Sequence, residues 1–400
     1  MKENQQPSPA ADVNAPSLTT VTDTSTFCST TDLICLSHLR WDFVFQRPQH
    51  LLTRFAHHRR VFVIEEPIYN DVLTSKLVVS RRENSLHVAV PHLPLGTSAA
   101  DATEIQRVLI DDLMSVHEIE NYTLWYYTPM ALSFTRHLEP SRVIYDCMDE
   151  LSAFKGAPRE LLDLEFELFG LADHVFTGGV SIYEHKRTLH PSVHAFPSSI
   201  EFSHFATARG TCPEPKDQTH IPHPRMGFYG VIDERADLKL IGEVARLRPE
   251  WHIVMIGPVV KIDPNTLPKL SNIHYLGMKS YAELPLYLAH WDLAILPFAM
   301  NESTRFISPT KTPEYLAAGK PVVSTPIRDV IRPYGEEGLV SIAGTAEEFV
   351  AAVDFASQQP TNDPDWIKRV DAFLANTSWD QTWQNMASLE LKNSRAQAAH

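Results

Sequence analysis

Runs of apolar residues alternate with amphipathic segments along the first half of the chain. The runs that predict buried strands are TDLICLS, VFVIEEP, SLHVAVPHLP, YTLWYYTP, RVIYDCMDE and DHVFTGG. Between them lie segments with apolar residues at helical spacing, as in RPQHLLTRFAHHRR and ADATEIQRVLIDDLMSVHEI. Strands that alternate with helices indicate a parallel sheet with helices on both faces.

A second series with the same alternation follows a break in composition. The stretch ATARGTCPEPKDQTHIPHP is rich in proline and polar residues, which is typical of a linker between domains. After it come the predicted strands RMGFYGVID, WHIVMIGPV, NIHYLGMKS, DLAILPF and GLVSIAG. We therefore predict an α/β protein with two Rossmann-like, doubly wound domains that face each other across a cleft.

These patterns also predict the domain boundaries. They are a disordered leader over 1–30, a first domain over 31–205, a linker over 206–224, a second domain over 225–365, a C-terminal helix over 366–392 that crosses back to the first domain, and a disordered tail over 393–400. The leader is polar and has no apolar segment behind Lys2, so it does not read as a secretory signal.

Composition excludes several classes of protein. The formal net charge of −14 disfavours a nucleic-acid binder, which would usually be basic. No stretch reaches the roughly 20 apolar residues that a membrane helix needs. The four cysteines are scattered without metal-binding spacing, which predicts a reducing compartment and a cytoplasmic protein: Cys28, Cys35, Cys147 and Cys212.

One segment departs from the acidic average. Between Ser37 and Ile64 there are five arginines and a single aspartate. Such a segment either holds a phosphate-bearing substrate, touches an anionic membrane or forms a solvated helix face.

The stretch SPTKTPEYLAAGKPVVST, residues 308–325, carries the main candidate site. Thr312 is predicted as a helix N-cap, with Pro313 at the first helical position and Gly319 at the end. The free N–H groups at such a helix start favour an anion, and Lys311 adds a charge suited to a pyrophosphate. For Glu314 two interpretations remain open: a carboxylate stabilised by the helix dipole, or an acceptor for two ribose hydroxyls.

A second loop is predicted to open toward the same cleft. Gly230 follows a predicted strand, and Arg235 is expected just before or at the start of the next helix. Because parallel strands end on one edge of a sheet, Arg235 is either a second cation for a diphosphate or a surface ion pair with Asp233 or Glu234. Neither loop has the GxGxxG or GxxxxGK[ST] pattern, so a dinucleotide or P-loop site is not supported.

At this point the residues resemble a known family. SPTKTPEYLAAGKPVVST is similar to the nucleotide-sugar signature of the group 4 retaining glycosyltransferases of GT-B fold, and NIHYLGMKSYAELPLYLAHWDLAILPF resembles the segment before it. LSHLRWDFVFQRPQHLL and VIYDCMDE resemble a subgroup of teichuronic-acid and exopolysaccharide transferases. The resemblance extends from about Asp32 to Leu391.

The chain departs from the family pattern at three places. Phe306 stands where the family often has the first of two glutamates, the second of which matches Glu314. Gly230-Val231 replaces a Gly-Arg pair, and Ser37–Trp41 replaces a Gly-Gly loop.

The resemblance implies a nucleotide-diphosphate sugar bound by the second domain and an acceptor bound by the first. The residues then expected at the donor are Gly230, Arg235, Gly257, Ser308, Thr310, Lys311, Thr312 and Glu314. The expected catalytic residues are His38 and Asp149, and the acceptor-side residues are Arg40, Trp41, Arg47 and Asp146. For Trp41 two interpretations remain open: it stacks on a sugar or an isoprenoid, or it is a core aromatic residue. Asp146 and Asp149 either act on the acceptor hydroxyl, by orienting it or as a base, or cap the following turn.

The predicted function is transfer of a hexosyl unit from a UDP- or GDP-sugar to a surface polysaccharide or lipid-linked glycan. Retention of configuration is expected, without a metal or cofactor and without nucleic acid as a partner. Two alternatives are a GT-B-like sugar-nucleotide 2-epimerase and a non-catalytic nucleotide-binding relative. The basic segment suggests a cytoplasmic protein held peripherally at the inner face of the plasma membrane.

Overall fold

The computed structural model describes residues 31–358 and 363–391. The strands of the first domain are β1 Asp32–Ser37, β2 Val61–Glu65, β3 Ile68–Asn70, β4 Lys76–Arg81, β5 Leu86–Pro94, β6 Tyr122–Tyr126, β7 Arg142–Cys147, β8 His174–Thr177 and β9 Val193–Ala195. Those of the second domain are β10 Arg225–Tyr229, β11 His252–Ile256, β12 Ile273–Tyr275, β13 Leu293–Leu296, β14 Val322–Ser324 and β15 Val340–Ile342.

The helices connect and cover these strands. They are α1 Arg47–Ala56, α2 Ala99–Val116, α3 Leu132–Thr135, α4 Glu160–Leu171, α5 Val180–Lys186, α6 Phe202–Ala206, α7 Leu238–Leu247, α8 Leu284–Ala289, α9 Lys311–Ala317, α10 Arg328–Val330, α11 Ala346–Gln358, α12 Pro364–Leu374 and α13 Trp379–Leu391. Helix α7 begins after Asp237, whose side chain accepts a hydrogen bond from the N–H of Leu240.

Each domain contains one sheet. The order in the first is β3-β5-β2-β1-β6-β7-β8-β9, with β4 antiparallel to β5, and the order in the second is β12-β11-β10-β13-β14-β15. The other strand pairs are parallel, and the central strands β1, β2 and β6 are buried along their full length. Such strands read as continuous apolar runs because helices cover both faces. The predicted α/β architecture of two Rossmann-like domains is confirmed.

The sequence did not predict the short strands β3 and β4. Both lie at the edge of the first sheet, and their residues are exposed or only half-buried. An edge strand that buries little has no apolar run to reveal it.

The C-terminal segment differs from the prediction. Where one helix was expected over 366–392, the structure has α12 and α13. Helix α12 packs in the core of the second domain, through Val370 and Leu374, while α13 packs on the first. The guanidinium of Arg59 in the first domain donates to both oxygens of Glu390 in α13, at 2.6 and 2.7 Å. The predicted leader over 1–30 and tail over 393–400 lie outside the described residues.

The two domains also contact each other across the cleft. The carboxylate of Asp329, in the second domain, accepts a hydrogen bond from the backbone N–H of Ser181 at 3.0 Å. The hydroxyl of Ser198 donates to the carbonyl oxygen of Ser308 at 3.1 Å. A Cβ at Gly179 would overlap the Asp329 carboxylate and lie 2.8 Å from Cβ of Ser308. Only glycine at this position lets the second domain approach so closely.

Candidate functional site

Two adjoining cavities lie between the domains, at the carboxyl ends of the strands. The larger has a volume of about 330 Å³ and the smaller about 120 Å³. The residues that line both are Val44, Phe45, Gly230, Thr310 and Lys311. Because residues of both domains share this boundary, one extended ligand can occupy the two cavities together.

Two glycines shape the wall that the second domain contributes. Gly230 follows β10 with φ of +148°, and Gly257 follows β11 with φ of +139°. A Cβ at Gly257 would overlap the carbonyl oxygen of Gly230, and a Cβ at Gly230 would lie 2.9 Å from Cε of Lys311. Both predicted glycines line the larger cavity, and the missing Cβ of Gly230 leaves room for the side chain of Lys311.

The helix after the loop begins earlier than predicted. Helix α9 starts at Lys311, with Thr310 at the N-cap, so the assignment of Thr312 as the cap is wrong. Thr312 is fully buried inside the first turn, lines neither cavity, and its hydroxyl has no hydrogen-bond partner within the described residues. Gly319 ends the helix as predicted, with φ of +73° and its N–H bonded to the carbonyl of Leu316.

Lys311 presents a cation to both cavities. Its ammonium is 3.4 Å from the hydroxyl of Thr310, and no carboxylate of the described residues lies within 4.0 Å of it. Burial lowers the pKa of Lys311, against the opposing charge of Glu314. A buried ammonium without a close counterion is suited to an anionic ligand.

Glu314 lies behind Lys311 in the larger cavity and is 6 % exposed. The hydroxyl of Tyr229 donates to one carboxylate oxygen at 2.6 Å, and the other oxygen has no protein donor among the described residues. Burial raises the pKa of Glu314 from its ordinary 4.5 to about 7, although Lys311 and Tyr229 oppose the rise. The fold therefore disfavours this charge, so a free acceptor for a ligand explains Glu314 better than helix stabilisation does.

Arg235 fits both of its predicted interpretations. Its guanidinium makes a two-pronged ion pair with Asp233, with Nη2 to Oδ2 at 2.7 Å, and lies 5.5 Å from the centre of the Phe154 ring. It also lines the smaller cavity together with Ser308. The cation is thus held in place beside Lys311, with part of its charge balanced by Asp233.

The structure corrects the assignment of Asp146. Nε and Nη2 of Arg47 donate to the two carboxylate oxygens of Asp146 at 3.1 and 2.9 Å, and both side chains are almost fully buried. The charges of Arg47 and Asp146 neutralise each other, so neither side chain is free to orient an acceptor. Asp149 does line the smaller cavity, with Arg47 forming part of the wall.

The remaining first-domain candidates have separate places. Arg40 donates to Glu65 at 3.0 Å and to the carbonyls of Glu66 and Pro67, so it braces the loop after β2 instead of contacting the cleft. Trp41 lines the larger cavity, on the side assigned to the donor and not to the acceptor. Nδ1 of His38 is buried without a hydrogen-bond partner in the described chain, and burial lowers the pKa of His38.

Phe306 lies away from these cavities. Its ring is 5.0 Å from that of His185 in the first domain, and it packs against the first domain's core. It lines neither the larger nor the smaller cavity. In this arrangement, an acid at position 306 would point at the first domain and not at the cavities.

The five arginines of the basic segment are all ion-paired. The pairs are Arg40–Glu65, Arg47–Asp146, Arg54–Glu201, Arg59–Glu390 and Arg60–Asp32. The predicted free basic face is therefore largely neutralised by carboxylates from elsewhere in the chain.

Sequence reasoning missed the aromatic residues of the larger cavity. Phe43, Phe45, Tyr229 and Tyr281 line it beside the predicted residues. The signal available was the run WDFVF, which places three aromatic residues in a loop where polar ones are usual.

The described residues contain neither a cluster of metal-binding side chains nor a membrane-spanning helix. Within 31–358 and 363–391, no group of three or more His, Cys, Asp or Glu side chains is placed to hold a metal ion. Over the same residues, no helix is both long and apolar enough to cross a bilayer.

Two facing Rossmann-like domains with this cleft have the GT-B fold of glycosyltransferases. Residues 223–358, which span most of the second domain, match the family described as Glycosyl transferases group 1.

A relative and several solved structures extend the comparison. The chain is 28% identical over 224 residues to TuaH of Bacillus subtilis (strain 168), assigned as a teichuronic acid biosynthesis glycosyltransferase; the match spans 52% of this chain and 56% of TuaH. Sucrose-phosphate synthase from Thermosynechococcus elongatus superposes with a TM-score of 0.68 at 12% identity, over 92% of this chain and 100% of that one. Anabaena HepE, in complex with UDP and glucose, superposes with a TM-score of 0.62 at 12% identity, over 89% of this chain and 98% of HepE. These structures show the fold.

Proposed function

We propose that the protein is a glycosyltransferase that moves a hexosyl unit from a UDP- or GDP-sugar to a surface polysaccharide or lipid-linked glycan. The observation that carries the proposal is the convergence of Lys311, Arg235 and Glu314 on two adjoining cavities between the domains. The family match of the second domain and the similarity to TuaH support the reaction class and the polymer.

The donor is assigned to the cavities by charge. The larger volume, about 330 Å³, is in the range of small-molecule pockets. The free carboxylate oxygen of Glu314 accepts the ribose hydroxyls, and the Lys311 ammonium binds the diphosphate. The sugar then lies toward the smaller cavity, near Asp149 and Arg235.

The residues in the cleft act mainly on the leaving group. As the bond between the sugar C1 and the donor phosphate oxygen breaks, Lys311 and Arg235 stabilise the charge that develops on the diphosphate. The acceptor oxygen forms the new bond to C1 on the same face, and its proton passes to the departing phosphate. Asp149 orients the acceptor hydroxyl, and no metal takes part. His38 lines neither cavity, but the charge of Asp149 acts on it.

The test begins with donor binding. Thermal unfolding is measured with UDP, GDP, ADP and their sugars, followed by donor hydrolysis and transfer with and without EDTA. We expect stabilisation by at least one nucleotide, and a large loss of that stabilisation in Lys311→Ala and Glu314→Ala. Lys239→Ala is the matched control, because the Lys239 side chain is 85% exposed on α7.

Each outcome separates the candidates. No stabilisation by any nucleotide overturns the proposal, and equal stabilisation in the two site variants overturns the site. Binding without hydrolysis or transfer favours a non-catalytic relative. Conversion of the free nucleotide sugar without an acceptor favours an epimerase.

We also propose a cytoplasmic location at the inner face of the plasma membrane, where a lipid-linked acceptor is found. Because the arginines between Arg40 and Arg60 are ion-paired, this contact has to use another surface. Co-sedimentation with vesicles of anionic and of neutral lipid tests it, and equal absence from both pellets contradicts it.

A further inference from the structure

The loop between β1 and α1 carries three aromatic residues to the larger cavity. Trp41, Phe43 and Phe45 all line it. Phe43 is 39% exposed and Phe45 is 43% exposed, although both are large apolar side chains. Exposed aromatic rings gathered at one cavity mark a binding surface more often than isolated ones do.

One of these rings connects the two domains. The ring of Phe45 stacks on that of Tyr281, in the second domain, with centres 4.6 Å apart and planes at 27°. The other stacking partner of Tyr281 is His204, at 4.5 Å and 15°. The hydroxyl of Tyr281 is buried and has no hydrogen-bond partner within the described chain. The stack therefore joins the two domains at the lining of the larger cavity.

Several apolar residues of the second domain also line the larger cavity. Ile256, Pro258, Met278 and Leu284 line the larger cavity and not the smaller one, whereas Lys311 lines both. Asp42, Lys279 and Glu314 also line the larger cavity alone, so its lining is mixed. The apolar side chains and aromatic rings in it suit a flat, uncharged ring system.

We propose that the segment Trp41–Phe45 is a lid, contributed by the first domain, that covers the nucleobase of a bound nucleoside diphosphate. The proposal rests on the proposed function, because the ligand is the nucleotide part of the donor. The rings of Phe43 and Phe45 pack against the base, while the diphosphate binds at Lys311. The nucleotide is consequently held by both domains, and its binding favours their closed arrangement.

The test compares ligands with and without a base. Dissociation constants for UDP, GDP and inorganic pyrophosphate are measured calorimetrically on the full chain. In the double variant Phe43→Ala/Phe45→Ala, we expect the Kd of the preferred nucleotide to rise about tenfold or more, the range for loss of base stacking, while the Kd of pyrophosphate is unchanged. The double variant Phe43→Tyr/Phe45→Tyr keeps both rings and should bind as the unmodified protein does.

Phe166→Ala is the matched control, because Phe166 is 80% exposed on α4, outside both cavities. Nucleotide affinity within twofold of the unmodified protein in the alanine double variant overturns the lid. Equal weakening of nucleotide and pyrophosphate also overturns it, since the rings would then only support the fold. If the unmodified protein binds pyrophosphate but no nucleotide, the proposed function itself fails.

Discussion

The carboxyl group of Glu314 occupies a place where the folded protein disfavours its charge. Burial raises its pKa from the ordinary 4.5 to about 7, although the hydrogen bond from Tyr229 and the charge of Lys311 oppose the rise. A group whose only role was structural would be more stable as an amide. This unfavourable ionisation is what a carboxylate that binds a ligand would show.

Replacing this carboxylate should therefore stabilise the protein at high pH. The unfolded chain ionises Glu314 near pH 4.5, while the folded protein holds the proton to about pH 7. Between these values the folded state binds more protons, so its free energy of unfolding decreases as pH rises. From about pH 5 to about pH 8.5, the free energy of unfolding of the unmodified protein should fall by roughly 2 to 3 kcal/mol because of this group. The variant Glu314→Gln should not show this decrease.

Urea unfolding at the two pH values measures this difference. Glu347→Gln is the control, because Glu347 is exposed on α11 and should change nothing. Equal pH dependence in Glu314→Gln and the unmodified protein would show that the folded carboxyl is not perturbed. Nucleotide affinity should meanwhile fall in Glu314→Gln, because the ribose acceptor has been replaced.

Single residues were predictable where the sequence around them was sufficient. Lys311, Glu314 and Gly230 stand in short segments whose turns and helix starts can be read locally, and all three line the larger cavity. Asp146 was misassigned because its partner, Arg47, is 99 positions away in the chain. Phe45 was missed because an aromatic residue in a loop looks the same whether it packs in a core or at a ligand.

At the scale of elements, the ends of β10 and β11 determine the shape of the site. The two loops approach so closely that Gly257 has no room for a side chain beside the Gly230 carbonyl. The lysine of α9 then lies against Gly230. A change in one loop therefore moves the wall of the donor cavity.

Gly257→Ala should damage both stability and nucleotide binding. A positive φ alone costs an alanine about 1 to 2 kcal/mol, and here the Cβ also overlaps backbone. We expect a larger loss of stability and a Kd for the preferred nucleotide that rises about tenfold or more, since the Gly230 loop must shift. Urea unfolding and calorimetric titration measure the two effects.

Gly338→Ala is the control for backbone strain. Gly338 also has positive φ, +64°, but the nearest atom to its Cβ would be 3.7 Å away, on the flexible side chain of Arg369. The variant Gly338→Ala should lose stability only through backbone strain, and its nucleotide affinity should be unchanged. If Gly257→Ala behaves in the same way, the contact between the two loops does not shape the site.

Elements were predicted well where burial was complete. The central strands β1, β2 and β6 follow continuous apolar runs and are buried along their full length. The exposed edge strands β3 and β4 have no such pattern, and the division of the C-terminal segment into α12 and α13 depends on which domain each helix packs against. The local periodicity of a segment does not indicate which distant part of the chain it packs against.

For the whole molecule, the contact between Asp329 and Ser181 joins the two domains. Asp329 is 6% exposed, and burial raises the pKa of Asp329. Asp329→Ala would leave the N–H of Ser181 buried without its partner. We expect a loss of about 1 to 3 kcal/mol in the free energy of unfolding and a larger radius of gyration by small-angle scattering, because the domains separate.

Glu336→Ala serves as the control for that experiment. Glu336 forms an exposed ion pair with Arg332 in its own domain, which typically contributes about 0 to 1 kcal/mol. An unchanged radius of gyration in Asp329→Ala would mean that other contacts hold the domains together. The ion pair between Arg328 and Glu184 is the first of these to remove next.

The packing of α13 has a consequence for how the chain acquires its structure during synthesis. Trp379 and Met386 of this last helix are buried in the core of the first domain, together with Leu51 and Trp125. Domains usually fold as they leave the ribosome, beginning at the N-terminus. Here the first domain lacks part of its interior until the second has been translated. The two domains therefore become complete together, and a nascent chain that stalls before residue 379 exposes an unfilled apolar surface.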